Sequence, residues 1–172
     1  MSKNIINKNI LSEQAIYYGD VEMPEGFEIN SLELSKTVFD SLHKENNFIF
    51  SKEWDKLDTY LRDFLNIRRK LSLIAKKSWG SIYIPNENIG PLLDVDPVDL
   101  KNSPDFTTLY GINTVDCHVK IYYEDNRRKG RSWDIELEQN KFVMFPSTCS
   151  YSISNKQKNN LNFVQTITYE YI

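Results

Sequence analysis

Hydrophobic and polar positions alternate through most of the second half of the chain. In CHVKIYY (117–123) and RSWDIEL (131–137), apolar side chains occupy every second position. The same alternation, interrupted by polar turns, runs through WGSIYIP (79–85), FTTLYGIN (106–113), KFVMF (141–145), YSIS (151–154) and LNFVQTITYEYI (161–172). A period of two is typical of strands with one buried face, and short strands joined by polar turns indicate an antiparallel sandwich or barrel.

Residues 30–70 have a helical period instead. Asn30, followed three residues later by Glu33, predicts a capping box at a helix start. The apolar stripe predicted for this helix consists of Leu32, Val38, Phe39 and Leu42. A second helix is predicted from about Ser51, with the stripe Trp54, Leu57, Leu61, Phe64 and Leu65. Such stripes are typical of helices packed on a sheet.

These patterns predict an α+β fold, an antiparallel jelly roll with two N-terminal helices packed on the sheet. We divide the chain into an extended N-terminal leader, 1–29, and a single jelly-roll domain, 30–172, with helices in 30–70 and strands in 79–172. We expect the leader, which contains Pro24 and Gly26, to lie across the domain or to reach a neighbouring molecule.

A long polar segment, NENIGPLLDVDPVDLKNSPD (86–105), follows the first predicted strand. It contains three prolines and four aspartates, and long ordered loops are often functional. The spacing of its aspartates matches no calcium-binding loop. We therefore interpret these aspartates as turn and helix-cap residues.

Composition narrows the classes of function. The 172 residues carry a net charge of −3, so no overall basic field attracts nucleic acid, and a nucleic-acid partner is not expected. No apolar run has the length of a signal peptide or a membrane span. The two cysteines, Cys117 and Cys149, do not form a disulfide framework, which favours a reducing compartment. We expect a cytoplasmic protein that does not contact membranes.

The stretch VKIYYEDNRRKGRSWDIELEQNKFVMFPS (119–147) resembles the central part of 2-oxoglutarate- and iron-dependent oxygenases of the prolyl-hydroxylase type. In that family a strand with a tyrosine-rich end leads through a hairpin to a second strand and an FPS corner. The resemblance covers roughly Phe106 to Ile172. It implies that the jelly roll is the double-stranded β-helix of these enzymes.

The resemblance also implies where an iron site would lie. The family holds iron with a His-x-Asp pair before the tyrosine-rich strand and a second histidine after the corner, and an arginine holds 2-oxoglutarate. Here TTLYGINTVD (107–116) contains no histidine, Tyr151 takes the place of the second one, and the only cations of NKQKNNLNFVQT (155–166) are Lys156 and Lys158. We therefore predict no cofactor. Tyr151 is predicted to pack on the Phe142–Phe145 strand, with its hydroxyl on a polar neighbour.

An alternative keeps the oxygenase reaction with an atypical site. Asp116 and His118 are two residues apart on a predicted strand and therefore share a face. In this alternative Asp116 and His118 hold Fe(II), Tyr151 is a further candidate residue of the site, and 2-oxoglutarate is the cosubstrate. The order of the pair is reversed relative to the family, and the sequence offers no evident third protein ligand. A single strand histidine is usually a surface residue, and His43, late in the first helix, suits that position as a cation.

A basic turn is the candidate partner-binding site. NRRKGR (126–131) carries Arg127, Arg128, Lys129 and Arg131 in one hairpin. The turn is either simply solvated or docks on an acidic partner or a phosphate. Cys149 follows a corner without a histidine in reach, so nucleophilic catalysis is not predicted.

We thus predict a non-catalytic jelly-roll protein that works through protein–protein contacts, with a protein partner or as a homo-oligomer. The composition, rich in Asn, Lys and Ile, and the TITYEYI ending resemble marine phage proteins, which suggests a virion-associated or accessory protein. The alternative is the oxygenase with an atypical metal site. Function depends on sites rather than on folds, so the fold does not decide between them.

Overall fold

The computed structural model describes residues 14–21, 30–41, 52–124 and 130–172. This part of the chain contains two α-helices, α1 (Ser31–Ser41) and α2 (Lys52–Arg69). Its nine strands are β1 (Tyr17–Asp20), β2 (Leu73–Tyr83), β3 (Asn88–Leu92), β4 (Phe106–Asn113), β5 (Cys117–Tyr123), β6 (Arg131–Glu136), β7 (Lys141–Pro146), β8 (Ser150–Asn155) and β9 (Asn162–Tyr171). Neither helix has the length and apolar character needed to span a bilayer.

The strands form two antiparallel sheets, as the alternating pattern predicts. The larger sheet has the order β1-β7-β4-β9-β2, and the smaller one has the order β3-β8-β5-β6. Successive strands from β3 onward change sheets repeatedly, which is the jelly-roll connection. The strand β1 lies inside the predicted leader, and it pairs with β7 at the edge of the larger sheet.

The first core layer lies between the helices and the larger sheet. α2 buries three leucines at helical spacing, Leu57, Leu61 and Leu65, against a sheet face that includes Ile167 and Tyr169. The Tyr169 hydroxyl donates to Asp58 Oδ1 at 3.0 Å and so ties α2 to β9. The predicted stripe of α2 is confirmed at these leucines, while the Trp54 side chain lies outside the described residues.

The stripe predicted for α1 is only partly right. Leu34 and Val38, one helical turn apart, are fully buried, whereas Leu32 and Phe39 are exposed and Leu42 lies outside the described residues. One half of the predicted capping box is confirmed, because Asn30 Oδ1 accepts the Glu33 N–H at 3.1 Å. The backbone N–H of Asn30 itself donates to Glu53 of α2, at 3.3 Å, which joins the two helices.

The second core layer fills the space between the two sheets. Leu109, Val143 and Val164 of the larger sheet face the smaller sheet. Across from them, the smaller sheet contributes Val119, Ile121, Tyr151 and Ile153. The pattern of the strands therefore decides which side chains point into the sandwich and which point to solvent.

Candidate functional site

Tyr151 lies in the interior of the protein, between the two sheets. Tyr151 lies on β8 opposite Leu92, the last residue of β3. Its side chain is buried, and its ring packs edge-on against Phe145 with the centroids 5.0 Å apart. Both parts of the prediction for Tyr151, packing on the β7 strand and a polar partner for the hydroxyl, are confirmed.

The polar partner of Tyr151 is Asp94, two residues beyond the end of β3. The Tyr151 hydroxyl donates to Asp94 Oδ2 at 3.0 Å. The Thr107 hydroxyl donates to the same oxygen at 2.9 Å, and Thr107 and Ser147 lie 2.9 Å apart. Because the single hydroxyl proton of Thr107 is used on Asp94, Ser147 is the donor to Thr107. We call these four residues the Asp94 network.

Electrostatics keep the phenol in the Asp94 network neutral. Burial, together with the nearby Asp94 charge and the hydrogen bond to it, raises the pKa of Tyr151 far above its ordinary value. A phenol needs to lose its proton to become a good metal ligand, and this environment opposes that loss. The arrangement is therefore a neutral donor on a carboxylate.

Sequence reasoning missed Asp94. Two other aspartates of 86–105 behave as predicted, since Asp96 accepts the Val98 N–H and Asp99 caps the short 3-10 helix Leu100–Asn102. Asp105 instead accepts the N–H of Tyr171, far along the chain, at 2.8 Å. The side chain of Asp94 points between the two sheets and contacts Tyr151, the residue at the place of the family's second histidine. The Asp94-x-Asp96 spacing after a strand was the available signal, because it repeats the spacing of the His-x-Asp pair.

The interior position does not fit the iron site of the resemblance. It offers a carboxylate that already accepts two hydroxyl protons, and a phenol that stays protonated. His118 lies on the opposite face of the smaller sheet, and β8 and β9 contain no arginine or lysine. The Asp94 network accordingly has neither the imidazoles nor the clamp that the resemblance implies.

A different group of metal-ligating side chains lies on the outer face of the smaller sheet. Asp116, His118 and Glu136 each place one ligand atom within 4.8 Å of the others. His118 and Glu136 are direct partners in the β5–β6 pair, and Asp116 is in the turn before β5. We call these three residues the outer group. Glu136 is the third residue of the outer group, and the sequence did not reveal it because it comes from a neighbouring strand.

The structure does not bring together all the residues of the atypical iron site that the sequence offered as the alternative. Tyr151 points into the sandwich and His118 points away from it, so Asp116, His118 and Tyr151 do not converge on one point. The structure brings Asp116 and His118 together, and Glu136 takes the third place. Tyr151 belongs to the Asp94 network.

The cysteines do not form a nucleophilic site. Both are free and buried. Burial, with a smaller contribution from Asp116, raises the pKa of Cys117 to about 12, and burial also raises the pKa of Cys149. A thiol that stays protonated near neutral pH is a weak nucleophile.

A cleft of about 1000 Å³ opens between the edge strands β1 and β6, and we call it the inter-sheet cleft. Tyr18 of β1 and Trp133 of β6 line it from opposite sheets, and Pro146 and Cys149 also line it. Arg131 of the predicted partner-binding turn lines the cleft as well, whereas Arg127, Arg128 and Lys129 lie outside the described residues.

Comparison with known proteins identifies the fold. No protein-family model and no curated protein sequence matches the chain. Among solved structures, a Pseudomonas putida prolyl-4-hydroxylase is similar with a TM-score of 0.65 and 14% identity, over 91% of this chain and 88% of that one. The viral collagen prolyl hydroxylase of Paramecium bursaria Chlorella virus-1, in its 2-oxoglutarate complex, has a TM-score of 0.61 and 11% identity, over 91% and 96%.

A third similar structure is the epimerase SnoN in complex with Fe³⁺ and α-ketoglutarate, with a TM-score of 0.62 and 8% identity, over 91% of this chain and 79% of that one. The chain thus has the jelly-roll core of the 2-oxoglutarate- and Fe(II)-dependent oxygenases, as its sequence predicted. At these identities the likeness establishes the fold, and the site has to be argued from this chain's own residues.

The prediction that the chain takes no cofactor is contradicted. Proteins of this fold include the SnoN complex with iron and α-ketoglutarate, and this chain assembles Asp116, His118 and Glu136 into a group able to hold a metal ion. The sequence did not reveal this group because its ligands come from the turn before β5 and from two strands, 18 positions apart between His118 and Glu136. These findings favour a metal-binding protein over one without a cofactor.

Proposed function

We propose that this chain works by binding an extended segment of another protein in the inter-sheet cleft. The observation that carries the proposal is that the cleft lies between two sheet edges and is walled by aromatic side chains from both sheets. The similarity to the oxygenases supplies the jelly-roll frame, and the binding surface comes from the edges of that frame. The Asp94 network supports this proposal, because its hydrogen-bonded side chains occupy the interior position at which the resemblance would place the second iron-binding histidine.

The walls of the cleft supply apolar anchoring surface. On β6, Trp133 and Ile135 share the inner face, and Trp133 is 40% exposed although its ring lies near that of Tyr123. On β1, Tyr18 is 65% exposed. Exposed aromatic side chains at the wall of a concave surface are the residue type that most often anchors a protein partner.

The edge strand β6 favours an extended segment over a globular surface. In the described part of the chain β6 is the last strand of the smaller sheet, and almost all of its residues are exposed. An edge strand presents backbone N–H and C=O groups that can pair with an incoming strand. Alternate side chains of that strand then enter the cleft beside Trp133 and Ile135.

Charge adds a preference for an acidic residue in the partner segment. Arg131 is exposed at the start of β6 and lines the cleft on the same face as Trp133. A guanidinium binds carboxylates with a geometry that a lysine cannot reproduce. We therefore propose a partner segment with alternating apolar residues and an acidic residue near one end.

A selected peptide tests this proposal. Peptides are selected from a random displayed library on the wild-type protein, and their affinities are measured for Trp133→Ala, Arg131→Ala and the control Val98→Ala. Val98 is 95% exposed and lies outside the cleft lining, so the control removes exposed apolar surface of a similar kind. We expect roughly tenfold or greater loss of affinity for Trp133→Ala, as for an aromatic anchor, and none for Val98→Ala.

Two results would count against the proposal. One is a library selection that yields no peptide sensitive to Trp133→Ala. The other is concentration-dependent self-association abolished by Trp133→Ala, which would assign the cleft to a second copy of this chain.

The oxygenase reaction is the second candidate. The fold favours it, and the outer group can hold a divalent metal, whose chemistry would be the activation of oxygen with 2-oxoglutarate as cosubstrate. In this candidate Asp116, His118 and Glu136 hold the metal. Succinate formation from 2-oxoglutarate in the presence of Fe(II), lost in His118→Ala and kept in Tyr151→Phe, would establish it.

A further inference from the structure

The side chains of the outer group are arranged as in many metal sites, and a fourth residue, Asp134, contacts the imidazole of His118 from the other side. His118 Nδ1 lies 2.8 Å from Asp134 Oδ1, and His118 Nε2 lies 3.3 Å from Asp116 Oδ1. Asp134 and Glu136 are two residues apart on β6, so their side chains lie on the same face as His118. The imidazole is thus held between two carboxylates, with a third carboxylate beside it.

The two contacts of His118 cannot both be hydrogen bonds of a neutral imidazole. In a neutral imidazole only one nitrogen carries a proton, and the shorter contact assigns that proton to Nδ1, which donates to Asp134. The lone pair of Nε2 then faces a carboxylate oxygen at 3.3 Å, and two acceptors repel each other at that distance. Either a second proton or a metal ion must lie between Nε2 and Asp116.

The neighbouring lysines have other contacts. The Lys120 ammonium lies 5.5 Å from the centre of the Tyr122 ring. Lys141 pairs with Glu138. Lys141 also lies close enough to Glu136 to interact with its charge. Asp116 and Asp134 supply the negative charge directly beside His118, and their exposure leaves the outer group accessible from solvent.

We infer that the outer group binds a divalent first-row transition metal through His118 Nε2, Asp116 and Glu136. Asp134 is the positioning residue that accepts the Nδ1 proton and directs Nε2 toward the metal, the arrangement found behind most metal-binding histidines. An imidazole with carboxylates suits zinc, iron or cobalt better than calcium. The bound ion would join β5, β6 and the turn before β5.

This inference does not depend on the proposed binding of a protein partner. Glu136 also borders the inter-sheet cleft, so the ion would stiffen the β6 edge from the side opposite to Trp133. The metal could be present whether or not the cleft binds a peptide. The two claims use different readouts, metal affinity and peptide affinity.

Titration with Co²⁺, followed by its visible absorption, and with Zn²⁺, followed by calorimetry, tests the inference. We expect saturable binding of one ion by the wild-type protein and at least roughly 100-fold weaker binding by His118→Ala. Asp134→Asn keeps an acceptor of the same shape but removes the charge, and we expect roughly 10- to 100-fold weaker binding. Two control variants, His43→Ala and Glu138→Gln, remove the other histidine and a neighbouring acid outside the outer group, and both should bind as the wild type does.

The inference fails if the wild-type protein shows no saturable binding of either ion. It also fails if His118→Ala, with a circular dichroism spectrum like that of the wild type, binds as tightly as the wild type. Equal binding by Asp134→Asn would remove the positioning role of Asp134. Loss of binding in His43→Ala alone would place the ion elsewhere.

Discussion

At the scale of single residues, the Asp94 network joins the two sheets at the interior position of Tyr151 through hydrogen bonds. A carboxylate withdrawn from water is costly unless its lone pairs are used, and here two hydroxyl groups donate to one oxygen of the partly buried Asp94. The network joins the end of β3 to β8, to β4 and, through Ser147, to the residue after β7. It therefore holds the two sheets together at the position where the resemblance would place metal ligands.

Tyr151→Phe measures the strength of this connection. Removing the hydroxyl takes away a hydrogen bond to a charged group, so we expect a loss of about 1.5–3 kcal/mol in the free energy of unfolding. The control is Tyr122→Phe, which removes a neutral hydrogen bond of 3.2 Å to Ser152 and should cost about 0.5–1.5 kcal/mol. Urea denaturation compares the two variants, and an equal or smaller loss for Tyr151→Phe would contradict the account.

The sequence predicted the role of Tyr151 but not its partner. A tyrosine that alternates with buried positions on a strand needs packing for its ring and a partner for its hydroxyl, and both follow from local pattern. Asp94 is 57 residues away along the chain, and only the β3–β8 pairing brings it to Tyr151. The outer group escaped prediction for the same reason, because Glu136 becomes a neighbour of His118 only through strand pairing.

At the scale of elements, the approach of α1 to the larger sheet depends on Gly80. A Cβ added to Gly80 would lie 2.9 Å from Val38 Cβ, with the Val38 methyl groups closer still. We therefore expect Gly80→Ala to cost about 1–3 kcal/mol, as overpacking does, and to cost clearly less when Val38 is also replaced by Ala. Thermal or urea denaturation of the four proteins of this double-mutant cycle gives the coupling.

Gly130→Ala is the matched control for this cycle. Among the described residues its added Cβ would meet Glu124 Cγ at 3.8 Å, an ordinary contact, so the substitution should change stability by less than about 0.5 kcal/mol. An equal cost of Gly80→Ala with and without Val38 would show that α1 does not pack as described.

The packing of α2 gives an independent prediction for the helical layer. Leu61 is fully buried and Ile67, on the same helix, is 79% exposed. Leu61→Ala should cost about 2–5 kcal/mol, because it removes apolar contacts and leaves a cavity. Ile67→Ala should change the free energy of unfolding by less than about 0.5 kcal/mol. Similar costs for the two variants would contradict the packing of α2.

The stripes of the two helices show how far periodicity carries a prediction. Periodicity predicted the buried face of α2 correctly, because Leu57, Leu61 and Leu65 lie on a single face of the helix. In α1 the pattern allowed more than one face, and the sheet surface around Gly80 selected Leu34 and Val38 over Leu32 and Phe39. That choice depends on a surface formed by residues far along the chain.

At the scale of the whole molecule, the buried ionisable groups predict loss of stability in alkali. Burial raises the pKa of Cys117 to about 12 and that of Tyr110 to about 12, and raises the pKa values of Tyr83, Tyr151 and Tyr169 well above their ordinary range. In the unfolded chain a thiol ionises near pH ~8.5 and a phenol near pH ~10. The folded state thus binds these protons more tightly, and the stability they confer is complete below the unfolded values and is lost as the pH rises from ~8.5 toward ~12.

Urea denaturation at a series of pH values checks this sign. We expect the free energy of unfolding to fall steadily above pH ~8.5 in the wild-type protein, and to fall less between pH ~8.5 and ~10 in Cys117→Ala, because that variant lacks the buried thiol. Identical slopes for the two proteins in that window would contradict the burial of Cys117.

The two-sheet architecture was accessible from the sequence, while the edges of the sheets were not. Alternation predicts which residues point inward, and it gave the jelly roll. It does not give strand order, so it could not show that β1 and β6 border one cleft or that Tyr18 and Trp133 face it from opposite sheets. The proposed partner-binding surface depends on that order.

We infer that the outer group is where this chain binds a metal ion and that hydrogen bonds of the Asp94 network hold the interior. The most direct measurement is the iron content of wild type, Asp94→Asn and His118→Ala after anaerobic loading with Fe(II) and removal of free metal. Asp94→Asn keeps the shape and an acceptor oxygen for Tyr151 and Thr107. We expect wild type and Asp94→Asn to retain iron equally and His118→Ala to lose it. Retention of iron by His118→Ala together with its loss from Asp94→Asn would place the metal in the interior and contradict the account.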